Sequence, residues 1–401
     1  MIRHNQIGVY GRLGNQLFQY AAVRAVSLRN GWVTELPGDI RDRKWHGQTC
    51  LLSNFNLKCE IKDNPSTGQC STYKEIYENA ALDKEHSLHP ASNIHPSFFQ
   101  IQDNTILDGH FENHLYFHEY REQLRKELTL INGDEEKAIQ IIKDIKEKYG
   151  KEKEIVSIHF RRGDVVNQQQ KLYAKGKYLF SWDSPFGTYL EESLKHFHVK
   201  SGVCEECDGV GKKTTDADFL PKMTIQCENC NGKGKYGDTL DDKYIFLLFT
   251  GGQRNENTDR GDMDWIKKAF TKHESDDLLY PEQLSMRKEA SKRGLTPNRI
   301  IYAENNSTLL DFALMKNCDH NITGLHSTYS WWASYLNNTP NKKTISPRVF
   351  SDPKQGFYPE DFILTDWAYQ KSLGHLRMIG TRLLQSSYAF INSTSQFTSV
   401  R

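Results

Sequence analysis

Residues 155–164 read IVSIHFRRGD, an apolar run that ends abruptly in charged side chains. A run rich in β-branched residues is typical of a central strand in a parallel α/β sheet, which is buried on both faces. Ligands of such sheets bind just beyond the carboxyl ends of the strands. The ionisable residues at this strand end are therefore predicted to line a cleft: His159, Arg161, Arg162 and Asp164. One guanidinium would clamp a phosphate while the other pairs with Asp164; an ion pair that only closes the strand end is the alternative.

Near the N-terminus the chain has the pattern of a strand, a glycine turn and a helix. Residues 6–10 predict the strand, residues 11–16 (GRLGNQ) the turn and residues 17–26 the helix. Gly11 and Gly14 allow the backbone to turn tightly and to approach a ligand. The N–H groups at the start of the helix would then face an anion. A glycine turn alone is more often a tight connection, so this interpretation depends on the other segments.

A third segment, far downstream, combines an apolar helix with a turn of hydroxyl residues. Residues 309–315 predict a helix that carries Asp311, and residues 325–332 (LHSTYSWW) follow after a short connection. The hydroxyls of Ser327 and Thr328, in a turn that opens a helix, can bond phosphate oxygens. The two tryptophans that follow are expected to pack this second helix onto the sheet.

Taken together and in this order, the three segments resemble the α-1,2-fucosyltransferase family, inverting enzymes that use GDP-fucose. The matching text is GRLGNQLFQYA at 11–21, VSIHFRRGD at 156–164 and DFALMKNCDHNITGLHSTYSWWA at 311–333. The resemblance spans most of residues 5–365. It implies an α/β fold of the GT-B type, in which two Rossmann-like domains face a cleft, here with a small zinc-knuckle insertion. It also implies a galactoside 2-alpha-L-fucosyltransferase.

The resemblance further implies roles for individual residues. Arg161 would hold the β-phosphate of GDP, and His159 would contact guanine or ribose. Asp311 would read guanine, whose two neighbouring N–H donors a carboxylate can accept together. The residues implied in binding GDP-fucose are Gly11, Gly14, Asn15, His159, Arg161, Arg162, Asp311, Ser327 and Thr328.

The predicted chemistry follows from the charge on the leaving group. Breaking the bond between fucose C1 and the phosphate oxygen leaves negative charge on GDP, which a fixed Arg161 in a dry cleft would stabilise. No catalytic metal is therefore expected, and Arg161 and Asp164 are the predicted catalytic residues. A side-chain base for the acceptor hydroxyl stays open among Asp164, Glu112 and His110. The resemblance implies a glycan acceptor with a terminal galactose.

Two copies of the pattern C-x-x-C-x-G-x-G, at 204–211 and 227–234, form an insertion. Four thiolates in paired knuckles suit a structural tetrahedral zinc, and a disulfide or redox pair is the alternative. The predicted ligands are Cys204, Cys207, Cys227 and Cys230. The segment resembles the zinc-binding repeat of the DnaJ chaperone family, with two of that family's four repeats. It would either staple a long loop or present a surface to the acceptor or to a partner protein.

Length and charge agree with this interpretation. The 401 residues include 52 basic and 51 acidic side chains, so the bulk charge gives no reason to expect nucleic acid or membrane as a partner. The predicted first strand begins close to Met1, which leaves no room for a signal peptide or membrane span and predicts a cytoplasmic protein. The expected domains are an N-terminal, acceptor-side half at 1–150, a GDP-fucose-binding half at 151–200 and 238–370, the insertion at 201–237 and a tail at 371–401.

One departure from the family keeps a second function open. Relatives commonly have Ser-Asp-Asp where this chain has Thr250-Gly251-Gly252. If that acidic pair helps to bind donor or acceptor, its role is in doubt here. The alternative function is therefore a nucleotide-sugar or glycan-binding protein, or an interaction protein, that has lost catalysis on the same scaffold. An α-1,6- or protein O-fucosyltransferase is a further enzyme alternative, and the STYSWW block favours α-1,2 linkage.

Overall fold

The protein is described from a computed structural model, which covers most of the chain outside the insertion and the tail. The described residues are 1–45, 47–63, 70–76, 94–162, 190, 193–197, 207, 210, 212–214, 224–226, 240–251, 260–271, 279, 281–324, 327–347 and 368–370. The chain divides into two compact units. The first comprises Met1–Phe180, Leu247–Arg254 and Tyr302–Lys371, and the second comprises Ser181–Phe246, Asn255–Ile301 and Ser372–Arg401. The domain boundaries expected from the sequence stay a prediction.

The N-terminal part of the first unit is built around a five-stranded sheet. Its elements are β1 (Ile2–His4), α1 (Leu13–Asn30), β2 (Thr34–Pro37), β3 (Lys44–Trp45), β4 (Gln48–Thr49), β5 (Glu60–Lys62), β6 (Ser71–Lys74), β7 (Thr105–Asp108), α2 (Arg121–Glu127) and α3 (Asp134–Tyr149). The strand order is β5-β2-β1-β7-β6, and every neighbouring pair runs parallel. β3 and β4 form a separate antiparallel pair.

A second sheet follows along the chain. The elements are β8 (Glu154–Arg161), β9 (Lys212–Thr214), β10 (Thr224–Gln226), β11 (Tyr244–Gly251), α4 (Arg260–Phe270), α5 (Pro281–Lys292), β12 (Ile300–Tyr302), α6 (Thr308–Asn317), β13 (His320–Ile322), α7 (Thr328–Leu336), β14 (Thr344–Pro347) and β15 (Ala368–Gln370). The six strands follow the order β12-β11-β8-β13-β14-β15, and β8, β13, β14 and β15 are parallel. The predicted α/β fold with parallel sheets is confirmed; the cleft between two domains and the zinc insertion stay predictions.

The strand that the sequence predicts at 155–160 is β8, and it is buried on both faces. Ile155 and Val156 are fully buried, and Ile158 and Phe160 are nearly so. β13 pairs with β8 in parallel, with Asn321 opposite Ser157. Asp319 fixes the start of β8 because its carboxylate accepts the N–H of Ile155 at 2.7 Å. The apolar composition of the segment therefore reflects its central place in the sheet.

The predicted first strand, at residues 6–10, is wrong. The strand is Ile2–His4, and the chain turns from Asn5 onward. The guanidinium of Arg43 donates to the main-chain oxygens of Asn5 and of Ile7, the latter at 2.9 Å. These carbonyls bond a side chain in place of a neighbouring strand. Ile7 is apolar because it is buried in the turn, and it does not belong to a strand.

Helix α1 is buried almost all round because it contacts both a sheet and another helix. One side lies against β1, and another lies against α7. Phe18 packs between the two tryptophans of α7, with ring centroids 4.9 Å from Trp331 and 5.0 Å from Trp332. Phe117 stacks on Trp332 at 5.2 Å. Both tryptophans are fully buried, and they pack α7 against α1 and Phe117. Their predicted packing onto the sheet stays a prediction.

The described part of the insertion is an antiparallel hairpin of β9 and β10, with Gln226 opposite Lys212. Of the four predicted zinc ligands, only Cys207 is described, and it is buried. Cys204, Cys227 and Cys230 lie outside the described residues, as does the tail at 371–401. No helix in the described ranges combines the length and the apolar character needed to cross a membrane.

Candidate functional site

The predicted site begins at the carboxyl end of β8. Arg161 is the last residue of the strand and half-buried, and the next residue, Arg162, is buried. His159 is buried two residues earlier and lies against Gly324, where an added Cβ would be 2.6 Å from its Nδ1. Burial and the nearby charge of Arg161 lower the pKa of His159 to about 3. His159 is therefore neutral at pH 7 and can both donate and accept a hydrogen bond.

The start of α1 and the start of α7 meet at a close main-chain contact. A Cβ added to Gly14 would lie 2.3 Å from Oγ1 of Thr328 and 2.7 Å from the main-chain nitrogen of Tyr329. Gly11 precedes the helix with a φ of 78°, and no side chain caps α1. Its first N–H groups and positive dipole end are therefore available to an anion. The glycine turn and the hydroxyl turn, more than 300 residues apart in sequence, form one surface.

The two hydroxyl residues of the α7 turn differ in their surroundings. Ser327 is buried and caps the helix, because its Oγ accepts the N–H of Ser330 at 3.2 Å. Thr328 is half-buried and contacts Gly14. Of the two residues, Thr328 is the less buried, while Ser327 caps the helix.

Asp311 lies in the first turn of α6, as predicted. Burial raises the pKa of its carboxyl to about 7, opposed by a hydrogen bond from Nδ2 of Asn306 at 2.9 Å. Tyr329 is close both to this residue and to the end of β8. The charge of Asp311 acts on the Tyr329 hydroxyl, and the ring centroid of Tyr329 is 5.9 Å from that of His159. A buried carboxyl of this kind is stabilised when a ligand supplies N–H donors.

A further acidic group faces Arg161 from the N-terminal sheet. Glu112 follows β7, and one of its carboxylate oxygens accepts a hydrogen bond from Nδ2 of Asn15 in α1. Burial and the neighbouring Glu75 raise the pKa of Glu112 to about 7, while Arg161 opposes the shift. The side chain stays partly exposed. The residues after β7, the start of α1 and the end of β8 thus share one polar surface.

The described site residues therefore converge, although they come from segments far apart in the sequence. Gly14 contacts Thr328, Asn15 donates to Glu112, and Arg161 influences the pKa of both His159 and Glu112. Asp164 lies outside the described residues. Within the described part of the chain, no group of three His, Cys, Asp or Glu side chains could hold a metal ion.

Three polar residues at the site were not predicted to have a role: Glu75, Asn306 and Tyr329. Asn306 and Tyr329 stand near or inside quoted motifs, so proximity to Asp311 and Ser327 was an available signal. Glu75 stands in a polar stretch without periodicity. Only the pairing of β6 with β7 brings it to the site.

The motifs that converge here are those of a known protein family. A model described as "Glycosyl transferase family 11" matches residues 1–201 and 259–371. The chain belongs to glycosyl transferase family 11. The match leaves out 202–258, the range that holds both C-x-x-C-x-G-x-G copies. The predicted class of glycosyltransferase is confirmed, whereas the sugar, the acceptor and the linkage are not.

Individual relatives cover very different shares of the chain. The Alpha-1,2-colitosyltransferase of Escherichia coli is 23% identical over 360 residues, 84% of this chain and 89% of that protein. The UvrABC system protein A of Listeria monocytogenes is 46% identical over 48 residues, and the chain spans only 5% of that protein's length. The solved structure of the fucosyltransferase NodZ from Bradyrhizobium aligns with 83% of this chain and with 90% of its own chain, at 11% identity. Its TM-score of 0.35 is too low to support any inference.

Proposed function

We propose that this protein transfers L-fucose from GDP-fucose to the 2-hydroxyl of a galactose-terminated glycan, with inversion at C1. The observation that carries the proposal is the meeting of the α1 and α7 N-termini at Gly14 and Thr328, in the same unit as Arg161 and Glu112. An uncapped helix N-terminus attracts a pyrophosphate. Membership of glycosyl transferase family 11 supplies the reaction class.

In this proposal the donor is recognised at both ends of GDP. The base would lie against Asp311, whose carboxylate can accept both N–H groups of the guanine edge. Those bonds would favour the ionised form, which burial alone disfavours. The neutral ring of His159, close to Tyr329, would contact the ribose or the base. The pyrophosphate would bind at the Gly11–Asn15 turn and at Thr328.

The proposed reaction is a single displacement at the anomeric carbon. As the bond from C1 to the β-phosphate oxygen breaks, negative charge grows on GDP and positive charge on the sugar. Arg161 would stabilise the leaving group through a planar, paired contact with phosphate oxygens. Removing an electrostatic contact of this kind costs on the order of 10²- to 10³-fold in rate. The acceptor hydroxyl would attack from the opposite face and invert the centre.

The name of one relative points to a second candidate for the donor substrate. The Escherichia coli protein that covers 84% of this chain is named for colitose, so a colitosyl donor is the specific competitor to GDP-fucose. Asp311 and Arg161 would contact only the nucleotide part of either donor. The choice of sugar would therefore depend on side chains around the sugar ring.

We also propose a structural zinc in the insertion, held by Cys204, Cys207, Cys227 and Cys230. The described hairpin supports it. The first C-x-x-C-x-G-x-G copy ends directly before β9, the second begins directly after β10, and Gln226 pairs with Lys212. The strand residues next to the two copies, Lys212 and Gln226, are thus direct neighbours. We expect about one zinc per chain by elemental analysis, lost in Cys207→Ser; a metal-free wild type would contradict this.

The remaining parts of the proposal concern the surroundings of the enzyme. The insertion would offer a surface to the acceptor or to a protein partner. A cytoplasmic location agrees with the buried thiols of Cys50 and Cys318, since free cysteines persist in reducing compartments.

The test is a donor panel with purified protein and a galactose-terminated acceptor. GDP-fucose, a colitosyl nucleotide, GDP-mannose and UDP-galactose are offered with and without EDTA. We expect transfer from GDP-fucose alone, unchanged by EDTA. Transfer only from the colitosyl nucleotide would replace the donor. GDP binding without turnover on any donor would favour the binding protein that has lost catalysis.

A further inference from the structure

We propose that Glu112 is the catalytic base that takes the proton from the acceptor hydroxyl, and that Glu75 and Phe111 are positioning residues for it. This inference rests on the proposed transferase function and deepens it, because the base was left open among three residues. The loop between β7 and Glu112, residues 109–111, positions the carboxylate.

Glu75 forms hydrogen bonds to the main chain of this loop. Its Oε2 accepts the N–H groups of both His110 and Phe111 at 2.8 Å, and its own N–H donates to the carbonyl of Asp108 at 2.8 Å. Gly109 permits the close approach, since a Cβ there would lie 2.4 Å from the Cβ of Glu75. A buried carboxylate that accepts two main-chain N–H groups fixes the direction in which the chain leaves β7.

These hydrogen bonds hold Phe111 in a backbone conformation that bulky residues rarely adopt. Its φ is 54°, in the left-handed region, and its side chain is fully buried. Aromatic neighbours keep it there: the ring centroids of Tyr116 and Phe98 lie 5.3 and 6.0 Å away. Left-handed backbone in a bulky residue marks strain, and such strain persists where surrounding contacts over-determine it. The next residue along the strained loop is Glu112.

The side chain of Glu112 therefore lies beside residues that are proposed to bind GDP-fucose. Its carboxylate accepts from Asn15 in the glycine turn and is within electrostatic reach of Arg161 at the end of β8. The residue as a whole is half-buried and not sealed in the core. Among the described residues, the charged groups that act on its pKa are Glu75, which raises it, and Arg161, which lowers it. If the pyrophosphate binds at the glycine turn and at Arg161, a carboxylate bonded to Asn15 would lie close to the reacting carbon.

The proposed step balances in atoms and charge. The acceptor oxygen forms a bond to fucose C1 as the bond from C1 to the β-phosphate oxygen breaks, and its proton passes to the carboxylate of Glu112. GDP leaves with the electron pair, and Glu112 later returns the proton to solvent. Burial and Glu75 raise the pKa of Glu112 to about 7, which suits a group that must accept a proton and then release it near neutral pH.

The test separates proton transfer from hydrogen bonding. In Glu112→Gln the amide oxygen can still accept from Asn15, so fold and donor site should persist, but the side chain no longer accepts a proton. We expect kcat for transfer to fall by about 10²- to 10⁴-fold. GDP affinity, measured by calorimetry, should stay within about threefold of wild type because this residue has no predicted contact with GDP. Glu119→Gln, an exposed carboxylate seven residues downstream, is the matched control and should match wild type.

A second variant tests the positioning role independently. Glu75→Gln keeps an oxygen for the two N–H groups but removes the negative charge beside Glu112. The rising limb of kcat/KM against pH should then move to lower pH, a shift that a purely structural role would not cause.

Three outcomes would overturn the proposal: a fall of less than about 100-fold in Glu112→Gln, a parallel loss of GDP affinity, or an unmoved limb in Glu75→Gln. If wild-type protein itself transfers from no donor, the proposed function fails. That result is distinct from an active wild type with an active Glu112→Gln variant, which removes Glu112 alone.

Discussion

Replacing Gly14 by alanine tests the contact on which the donor site depends. The new Cβ would lie 2.3 Å from Oγ1 of Thr328, 2.7 Å from the carbonyl carbon of Thr328 and 2.7 Å from the nitrogen of Tyr329. Ordinary contacts begin near 3.4 Å, so the start of α1 must move away from α7 by about 1 Å. Two of the three atoms belong to the main chain, so a side-chain rotation cannot relieve the clash.

The expected magnitude follows from two opposed effects. Overpacking in a close-packed interior costs about 1–3 kcal/mol, and main-chain contacts place this site near the upper end. Alanine in place of glycine returns up to about 1 kcal/mol of helix propensity. The net loss should be about 2 kcal/mol, or roughly a 30-fold fall in the ratio of folded to unfolded protein. With a urea m-value of about 3 kcal/mol/M, the midpoint would fall by about 0.7 M.

Function should fall more than stability. A displacement of about 1 Å in a site that positions reacting groups can cost on the order of 10²-fold in turnover. The assays are urea unfolding followed by circular dichroism, GDP titration and fucose transfer. Gly31→Asn is the matched control: it stands after the other end of α1, has a φ of 70° that asparagine tolerates, and has no atom within 4 Å of the added Cβ.

A double variant locates the clash. Thr328→Ala removes Oγ1 but leaves the two main-chain atoms, so combined with Gly14→Ala it should restore only part of the lost stability. If Gly14→Ala unfolds within about 0.2 M urea of wild type and keeps its turnover, the close meeting of the two helix starts is wrong. Full rescue by Thr328→Ala would attribute the clash to the side chain alone.

Further predictions concern Arg161, Asp311 and the pH dependence. Arg161→Lys should lose about 10²- to 10³-fold in turnover because an ammonium cannot reproduce the planar contact. Arg29→Lys, at a half-buried arginine paired with Glu119, is the control and should keep wild-type turnover. Wild-type kinetics in Arg161→Lys would refute the role of Arg161. Asp311→Asn should weaken GDP binding and relax the preference for guanine in calorimetry with GDP, ADP and UDP, and an unchanged preference would place the base elsewhere. Because the pKa of Glu112 is raised to about 7 and a base must be ionised, kcat/KM should rise with pH up to about 7 and then level off; a flat profile from pH 5 to 8 would contradict this. Because the pKa of Glu112 is raised, the folded state binds this proton more tightly than the unfolded state. The stability that Glu112 contributes is therefore present below pH 4.5 and is lost as the pH rises towards 7. At pH 8 Glu112→Gln should not lower the melting temperature.

The central strand and the Asp311 helix were predictable because their signals are local. A run of β-branched residues identifies β8, and an apolar helix with an acidic first turn identifies α6. Arg161 could be placed at the strand end from the abrupt change in composition alone. Such signals survive in a single sequence because burial of the segment itself determines them.

The first strand was misjudged because a distant side chain decides the local structure. The guanidinium of Arg43 bonds the carbonyls that a strand would have used, and nothing between residues 6 and 10 records this. The same holds for Glu75, because its hydrogen bonds to the loop before Glu112 depend on the pairing of β6 with β7. Contacts between residues far apart in sequence leave no periodic pattern, so sequence reasoning found Glu112 as a candidate but not its support.

The two tryptophans illustrate an intermediate case. They were expected to pack their helix onto the sheet; both are fully buried, but the rings they contact include Phe18 of α1 and Phe117. Their partner, Phe18 of α1, could not be inferred, because the pairing of α1 with α7 depends on small residues such as Gly14 that let the helices approach. The aromatic cluster and the glycine contact together explain why two segments so distant in sequence share one site.

The central claim is inverting transfer of fucose to the 2-hydroxyl of galactose, and the structure of the product tests it most directly. The product of GDP-fucose and a galactose-terminated acceptor would be purified and its linkage determined by two-dimensional NMR. We predict an α-linked fucose whose anomeric proton correlates with C2 of galactose. A β-linked product, a correlation with another carbon such as C6, or a sugar other than fucose would contradict the account.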